Sequence, residues 1–365
     1  MRSIARTVFL ATFAIAIAAV SADAQMMAKK SSGYVETKIV SDLGSQNPTL
    51  PDASLKNPWG IAFFPGGPFW ISDNATGVST LYSGAGAKIP LTVTIPPPSN
   101  APGNTASPTG IVWNGNPLAF NITGNNITAP ALFMFATEDG TISAWNQNSG
   151  LTAQLVKDET DPVAGAVYKG LALGVSASKG IVLYATNFRS GHVDAFDATF
   201  APVTLAGSFS DPKLPANFAP FGIANIRGDI FVTYAMQDGT KHDDVAGKGN
   251  GYVDVFDTDG NLVRRFSSKG HLNSPWGIAA ASFDFGKFSD DILIGDFGDG
   301  AINAFDESGK FVGQLEDTSR KVIKIDGLWG LSFGGAAAGS PDVLYFTAGL
   351  NGESDGLFGS LAPSM

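Results

Sequence analysis

The stretch Asn57-Pro58-Trp59-Gly60-Ile61-Ala62 returns more than two hundred residues later as Asn273-Ser274-Pro275-Trp276-Gly277-Ile278-Ala279. Four looser copies stand elsewhere: Pro108-Thr109-Gly110-Ile111-Val112, Tyr168-Lys169-Gly170-Leu171-Ala172, Pro220-Phe221-Gly222-Ile223-Ala224 and Leu328-Trp329-Gly330-Leu331-Ser332. The six corner glycines, Gly60, Gly110, Gly170, Gly222, Gly277 and Gly330, are separated by 50, 60, 52, 55 and 53 positions. Self-similarity at this period marks a repeat architecture built from one supersecondary unit.

Each corner is followed by the same parts. A second β-rich run comes next: Phe69–Asp73, Leu132–Thr137, Val182–Asn187, Ile230–Tyr234, Ile292–Asp296 and Val343–Thr347. A glycine turn leads into a third, alternating run, as in Gly251-Tyr-Val-Asp-Val-Phe-Asp257 and Gly300-Ala-Ile-Asn-Ala-Phe-Asp306. A fourth follows an Asp/Gly turn, as in Asn261–Phe266 and Lys310–Leu315. Short alternating strands between Gly, Asp and Asn turns read as an antiparallel meander. Four strands taken six times predict an all-β fold, a six-bladed β-propeller of four-stranded antiparallel blades. At each corner, glycine is required because the innermost strands crowd near the axis, and proline sets the turn into a strand end that needs no donor.

The sixth unit stops at its third run, Leu357–Leu361. A spare strand, Tyr34–Val40, precedes the first corner, and we expect it to close the last blade and so hide an open edge. Arg2 and Arg6, the apolar run Val8–Val20 and Ala22-Asp23-Ala24 have the form of a secretory signal peptide over 1–24. The expected organisation is then a flexible mature N-terminus over 25–33, one propeller over 34–361 and a short tail over 362–365, exported to the periplasm or the medium.

Composition fits this reading. The chain of 365 residues has 44 Gly, 21 Pro, 26 Phe and no Cys, so no disulfide or thiolate chemistry is available. The net charge is −10, and removal of two Arg and one Asp with the leader makes it −11. Such a surface repels phosphates and disfavours nucleic acid as a partner. No segment beyond the leader reaches the roughly 18 apolar residues of a membrane span. A monomer binding an unknown protein, glycan or small molecule is the expected state.

The corners NPWGIA and APFGIA and the runs FWISDN and DILIGDFGDGAINAFD resemble the strand openings of NHL-type propellers. Over residues 57–361 the chain is similar to an uncharacterised family of exported bacterial propellers, through PFWISDNATGVSTLY, KHDDVAGKGNGYVDVFD, FGDGAINAFD and IDGLWGLSFG. Some members of that family carry a PEP-CTERM sorting tail, which the C-terminal Leu361-Ala-Pro-Ser-Met365 does not resemble. The resemblance implies a fold and an exported location, and no activity. More distantly, the chain resembles six-bladed propellers of the senescence-marker-protein and gluconolactonase type, which hold a divalent ion at the axis.

Three groups of residues are candidates for a site. Asp73, Asn187 and Asp296 follow second strands, with Glu138 in the corresponding region of blade two; converging oxygens of this kind suit a hard cation such as Ca²⁺. Turn chemistry accounts for the same residue types before a glycine. The long link Gln237–Asn250 of blade four carries His242, Asp243 and Asp244, a set suited to ligand contact or acid–base work. The corner aromatics Trp59, Phe221, Trp276 and Trp329 would stack on a sugar or an aromatic ligand if exposed, or pack between blades if not. There is no nucleophile elbow, no phosphate loop and only three scattered His. A binding module is the first expectation; a metal-dependent hydrolase or lactonase is the alternative.

Overall fold

The computed structural model describes residues 33–161 and 164–364; the expected leader, residues 25–32 and Met365 lie outside them. Six blade sheets follow one another along the chain, and Asn121–Gly124 pairs with Ile127–Pro130 as an additional two-stranded ribbon in blade two. The innermost strands of the blades are Pro58–Ala62, Pro108–Trp113, Tyr168–Ser176, Phe218–Ile226, Pro275–Ala280 and Leu328–Phe333. Each of these lies beside the next, and the sixth lies beside the first, so the ring is closed.

The corner glycines explain how tightly it closes. A Cβ placed on Gly60, Gly222, Gly277 or Gly330 would lie under 3.0 Å from the carbonyl oxygen of Thr109, Trp276, Trp329 or Trp59, in each case the corresponding corner of the neighbouring blade. Any side chain there would push two blades apart; backbone conformation is not the reason. Hydroxyls complete the join: Thr347 Oγ1 donates to Trp59 O (2.5 Å), Thr186 Oγ1 to Phe221 O (2.8 Å) and Thr109 Oγ1 to Tyr168 O (2.8 Å).

The N-terminal strand Tyr34–Ser41 pairs antiparallel with Asp355–Pro363, in the register Tyr34↔Pro363, Thr37↔Ser360 and Ser41↔Leu357. It is the fourth strand of blade six, as expected, and Leu50–Pro51 adds a short parallel strand outside it. Tyr34 is anchored in the neighbouring blade: its hydroxyl donates to Phe285 O (2.9 Å) and accepts from Phe288 N (3.3 Å).

Blade three departs from the repeat, with three strands and a single bridge, Phe196↔Pro202, in the fourth position. Val203 N still donates to Ala195 O, and the chain then leaves the edge. Gly207 N and Phe209 N bond instead to Asp259 O and Gly260 O of blade four. Pro202 supplies no donor to the ladder, which shortens the pairing.

Candidate functional site at the corner mouth

All six inner strands start at the same end of the axis, here called the corner mouth. Trp59, Phe221, Trp276 and Trp329 meet there: Trp59 stacks on Trp329 at 3.4 Å between centroids, and Trp276 meets both edge-on at 5.9 and 5.7 Å. Phe221 and Phe297 pack on Trp329 at 5.8 and 4.0 Å. All four predicted aromatics are buried, so they form a plug across the axis rather than an open stacking platform.

The third corner places a lysine in this aromatic ring. Lys169 is 2 % exposed, and its ammonium lies 5.2 Å from the Trp59 ring and 5.7 Å from that of Phe188. Aromatic faces attract a cation but do not by themselves replace its water. A short, charge-assisted hydrogen bond to Glu138 Oε1 supplies the counter-charge, and Asp243 Oδ1 lies 3.7 Å away.

From this pair a polar chain runs round the mouth. Glu138 Oε2 accepts from Asn74 Nδ2 (2.9 Å), and Asn74 Oδ1 accepts from Asn57 Nδ2 (3.3 Å). Asn57 also donates to Glu353 Oε1 (3.1 Å) and accepts from Trp329 Nε1 (3.2 Å). In the other direction Asp243 Oδ1 lies 2.8 Å from His242 Nδ1. Lys169 O accepts from Trp276 Nε1 (3.2 Å), so every blade contributes to the network.

The loop of blade four arrives here because it is internally ordered. Asp238 Oδ1 accepts from His242 N (3.0 Å), Gln237 Nε2 donates to Phe188 O of blade three (2.5 Å), and Gly247 N donates to Asn273 Oδ1 (2.6 Å). The loop thereby folds over the axis toward Glu138 of blade two. Glu138, His242 and Asp243 bring one ligand atom each within 4.8 Å of one another. Beside them a groove of about 380 Å³ is bordered by Glu138, Asp139, Arg189 and His242.

Protonation follows from these contacts. The Asp243 hydrogen bond raises the His242 imidazole above its usual value, and the same bond lowers the Asp243 carboxyl. Burial raises Asp139 and Asp244, and one Asp244 oxygen has no partner among the described residues. Burial, reinforced by the charge of Glu138, pushes Glu353 up to about 7. The backbone of Glu353 is in the left-handed region at φ 69°, a strain of the kind that accumulates at functional sites. A raised carboxyl stabilises the fold below its unfolded value near 4.5 and loses that contribution as pH rises through about 7. We therefore expect wild-type stability to fall between pH 4.5 and 7 relative to Glu353→Gln, measured by urea denaturation at each pH; parallel profiles would contradict this placement of Glu353.

The other predicted ligands of a cation lie apart from this cluster. Asp73 accepts from Thr80 Oγ1 (2.7 Å), Asp296 accepts from Asn303 Nδ2 (2.7 Å), and Asn187 donates to Asp194 (3.0 Å). Each partner stands seven residues on, in the third strand of the same blade, so these residues staple their own hairpins. Burial raises the carboxyls of Asp73 and Asp296 well above the ordinary value. Among the described residues, only Glu138 of that predicted set joins a carboxylate–imidazole cluster of three. Sequence reasoning missed Lys169, Asn57, Asn74 and Glu353 as site members; the lysine in an otherwise largely aromatic corner column was the available signal.

Fold and mouth together define a six-bladed β-propeller with a charged constellation over an aromatic plug. No protein-family model matches the chain. It is 35 % identical over 318 residues to the uncharacterised protein R648 of Acanthamoeba polyphaga mimivirus, covering 85 % of this chain and 76 % of that protein. The chain belongs to one family with this viral protein. Among solved structures, virginiamycin B lyase from Staphylococcus aureus matches at 14 % identity and TM-score 0.51, over 90 % of this chain and 98 % of that one. A luciferin-regenerating enzyme matches at 12 % identity and TM-score 0.51, over 90 % and 95 %. Both share the fold. No helix among the described residues is long and apolar enough to cross a membrane.

Proposed function

We propose that the protein is an exported binding module that takes a small polar ligand at the corner mouth, beside Glu138, His242 and Asp243. The observation that carries this reading is the buried Glu138–Lys169 pair on the aromatic plug. Buried ion pairs are weak contributors to stability and are often replaceable by apolar residues, so a charged pair kept at the mouth calls for a role other than folding. His242 and Asp243 remain partly or largely exposed and offer donors and acceptors to a ligand. Export is supported by the leader-like segment 1–24 and by the resemblance to exported bacterial propellers.

A second reading, a metal-dependent hydrolase or lactonase, is favoured by the trio Glu138, His242 and Asp243, whose donor set suits a divalent ion. Against it, the Lys169 ammonium already sits between the two carboxylates of the trio and competes with a cation for them. One experiment separates the readings: thermal melting of the wild type and of Lys169→Met with Ca²⁺, Mg²⁺, Mn²⁺, Zn²⁺, lactones and small polar compounds. Binding at a hundred times Kd stabilises by about 2.7 kcal/mol, which a melt resolves. We expect metals to leave the wild-type Tm unchanged and to raise that of Lys169→Met, and a polar compound to stabilise the wild type alone. A wild-type Tm raised by a metal would overturn the binding-module reading in favour of the second.

A further inference from the structure

The end of the axis opposite the corner mouth has a different chemistry. Two concave sites of about 460 and 540 Å³ lie on either side of the turn Asn114–Pro117, within the roughly 300–1,000 Å³ span of small-ligand sites. They share Trp113, Gly115, Asn116 and Pro117. The open end of the central channel, about 370 Å³, also reaches Trp113. No charged side chain lines any of the three. In a chain of net charge −10 whose corner mouth is lined by carboxylates, an arginine and a histidine, this is a clear separation.

What lines these sites is an indole, prolines and carboxamides. Trp113 is half-buried, with its inner side packed on the cluster of Trp70, Phe133 and Trp145. Gln147 is exposed, Asn148 is half-buried, and neither carboxamide has a protein partner among the described residues. Asn225 stands across the second site. A carboxamide both donates and accepts, which matches a hydroxyl, and an indole covers the C–H face of a pyranose ring. A charged ligand would find no counter-charge here.

We propose that this face binds a neutral oligosaccharide, with Trp113 as its platform and Gln147, Asn148 and Asn116 as hydroxyl partners. The site is separate from the corner mouth and does not depend on what binds there. The test is calorimetric titration of the whole chain with cellohexaose, maltohexaose and chitohexaose, and with trigalacturonic acid as the charged arm. At least one neutral hexasaccharide is expected to bind, trigalacturonic acid is not, and Trp113→Ala should weaken the interaction about tenfold or more. Because Trp113 also packs on the core, the double variant Gln147→Ala/Asn148→Ala is the second probe, expected to weaken binding several-fold with an unchanged melting temperature. Failure of every neutral hexasaccharide to bind, equal binding of the acidic sugar, or an affinity indifferent to both sets of substitutions would overturn the assignment.

Discussion

A chain beginning at Asp42 is expected to lose the cooperative fold that a chain beginning at Gly33 keeps. The difference is the strand Tyr34–Ser41. Its deletion removes Tyr34, Ile39 and Val40 from the core, all at most 3 % exposed. Each such side chain contributes about 1.5–3 kcal/mol by burial, so the sum approaches the whole stability of a domain, about 5–15 kcal/mol. The deletion also strips the partner from Asp355–Pro363 and leaves a long apolar edge open to other chains. Circular dichroism melts and gel filtration would read the outcome: a broad or absent transition and aggregation for the shorter chain. A synthetic peptide of residues 33–42 added during refolding should restore part of the transition. A shorter chain that melts sharply within a few degrees of the longer one would show that closure of the ring does not rest on this strand.

Ring closure was readable before any coordinates because its signals are local. The corner glycines report a steric limit that acts on each copy separately, and the missing fourth strand of unit six is a gap in a count. The irregular blade three was not readable: whether its edge stays paired beyond Val203 depends on where the following residues find their hydrogen bonds, and Gly207 and Phe209 find theirs on blade four. The site was readable in pieces. Glu138, His242 and Asp243 were each singled out, but in two separate groups, because nothing in the spacing says that a loop of blade four folds across the axis onto blade two. Asp73, Asn187 and Asp296 were grouped by their shared place in the repeat. That shared place gives each a partner seven residues later in the third strand of its own blade, so hairpin stapling accounts for the repetition. Lys169 shows the complementary lesson: the informative residue is the one that breaks its column.

The second large effect concerns that residue. Glu138→Gln leaves an ammonium that is 2 % exposed with only the more distant Asp243 as counter-charge. Removing one partner of a buried pair costs about 3–5 kcal/mol, because the remaining charge cannot be solvated. Lys169→Met should cost less: the Glu138 side chain is 14 % exposed, keeps the Asn74 donor and can reach water. Replacing both groups, Glu138→Gln with Lys169→Met, should return to within about 1 kcal/mol of the wild type, since apolar or neutral substitutes for buried pairs are often nearly neutral.

The double-mutant cycle on Glu138 and Lys169, run by urea denaturation, therefore tests most directly whether the corner mouth is a preassembled charged site. A coupling energy of about 3–5 kcal/mol or more, with the double variant as stable as the wild type, is the predicted result. Additive effects with no coupling would mean that the two side chains do not meet at the mouth, and the network joining the six blades would lose its centre.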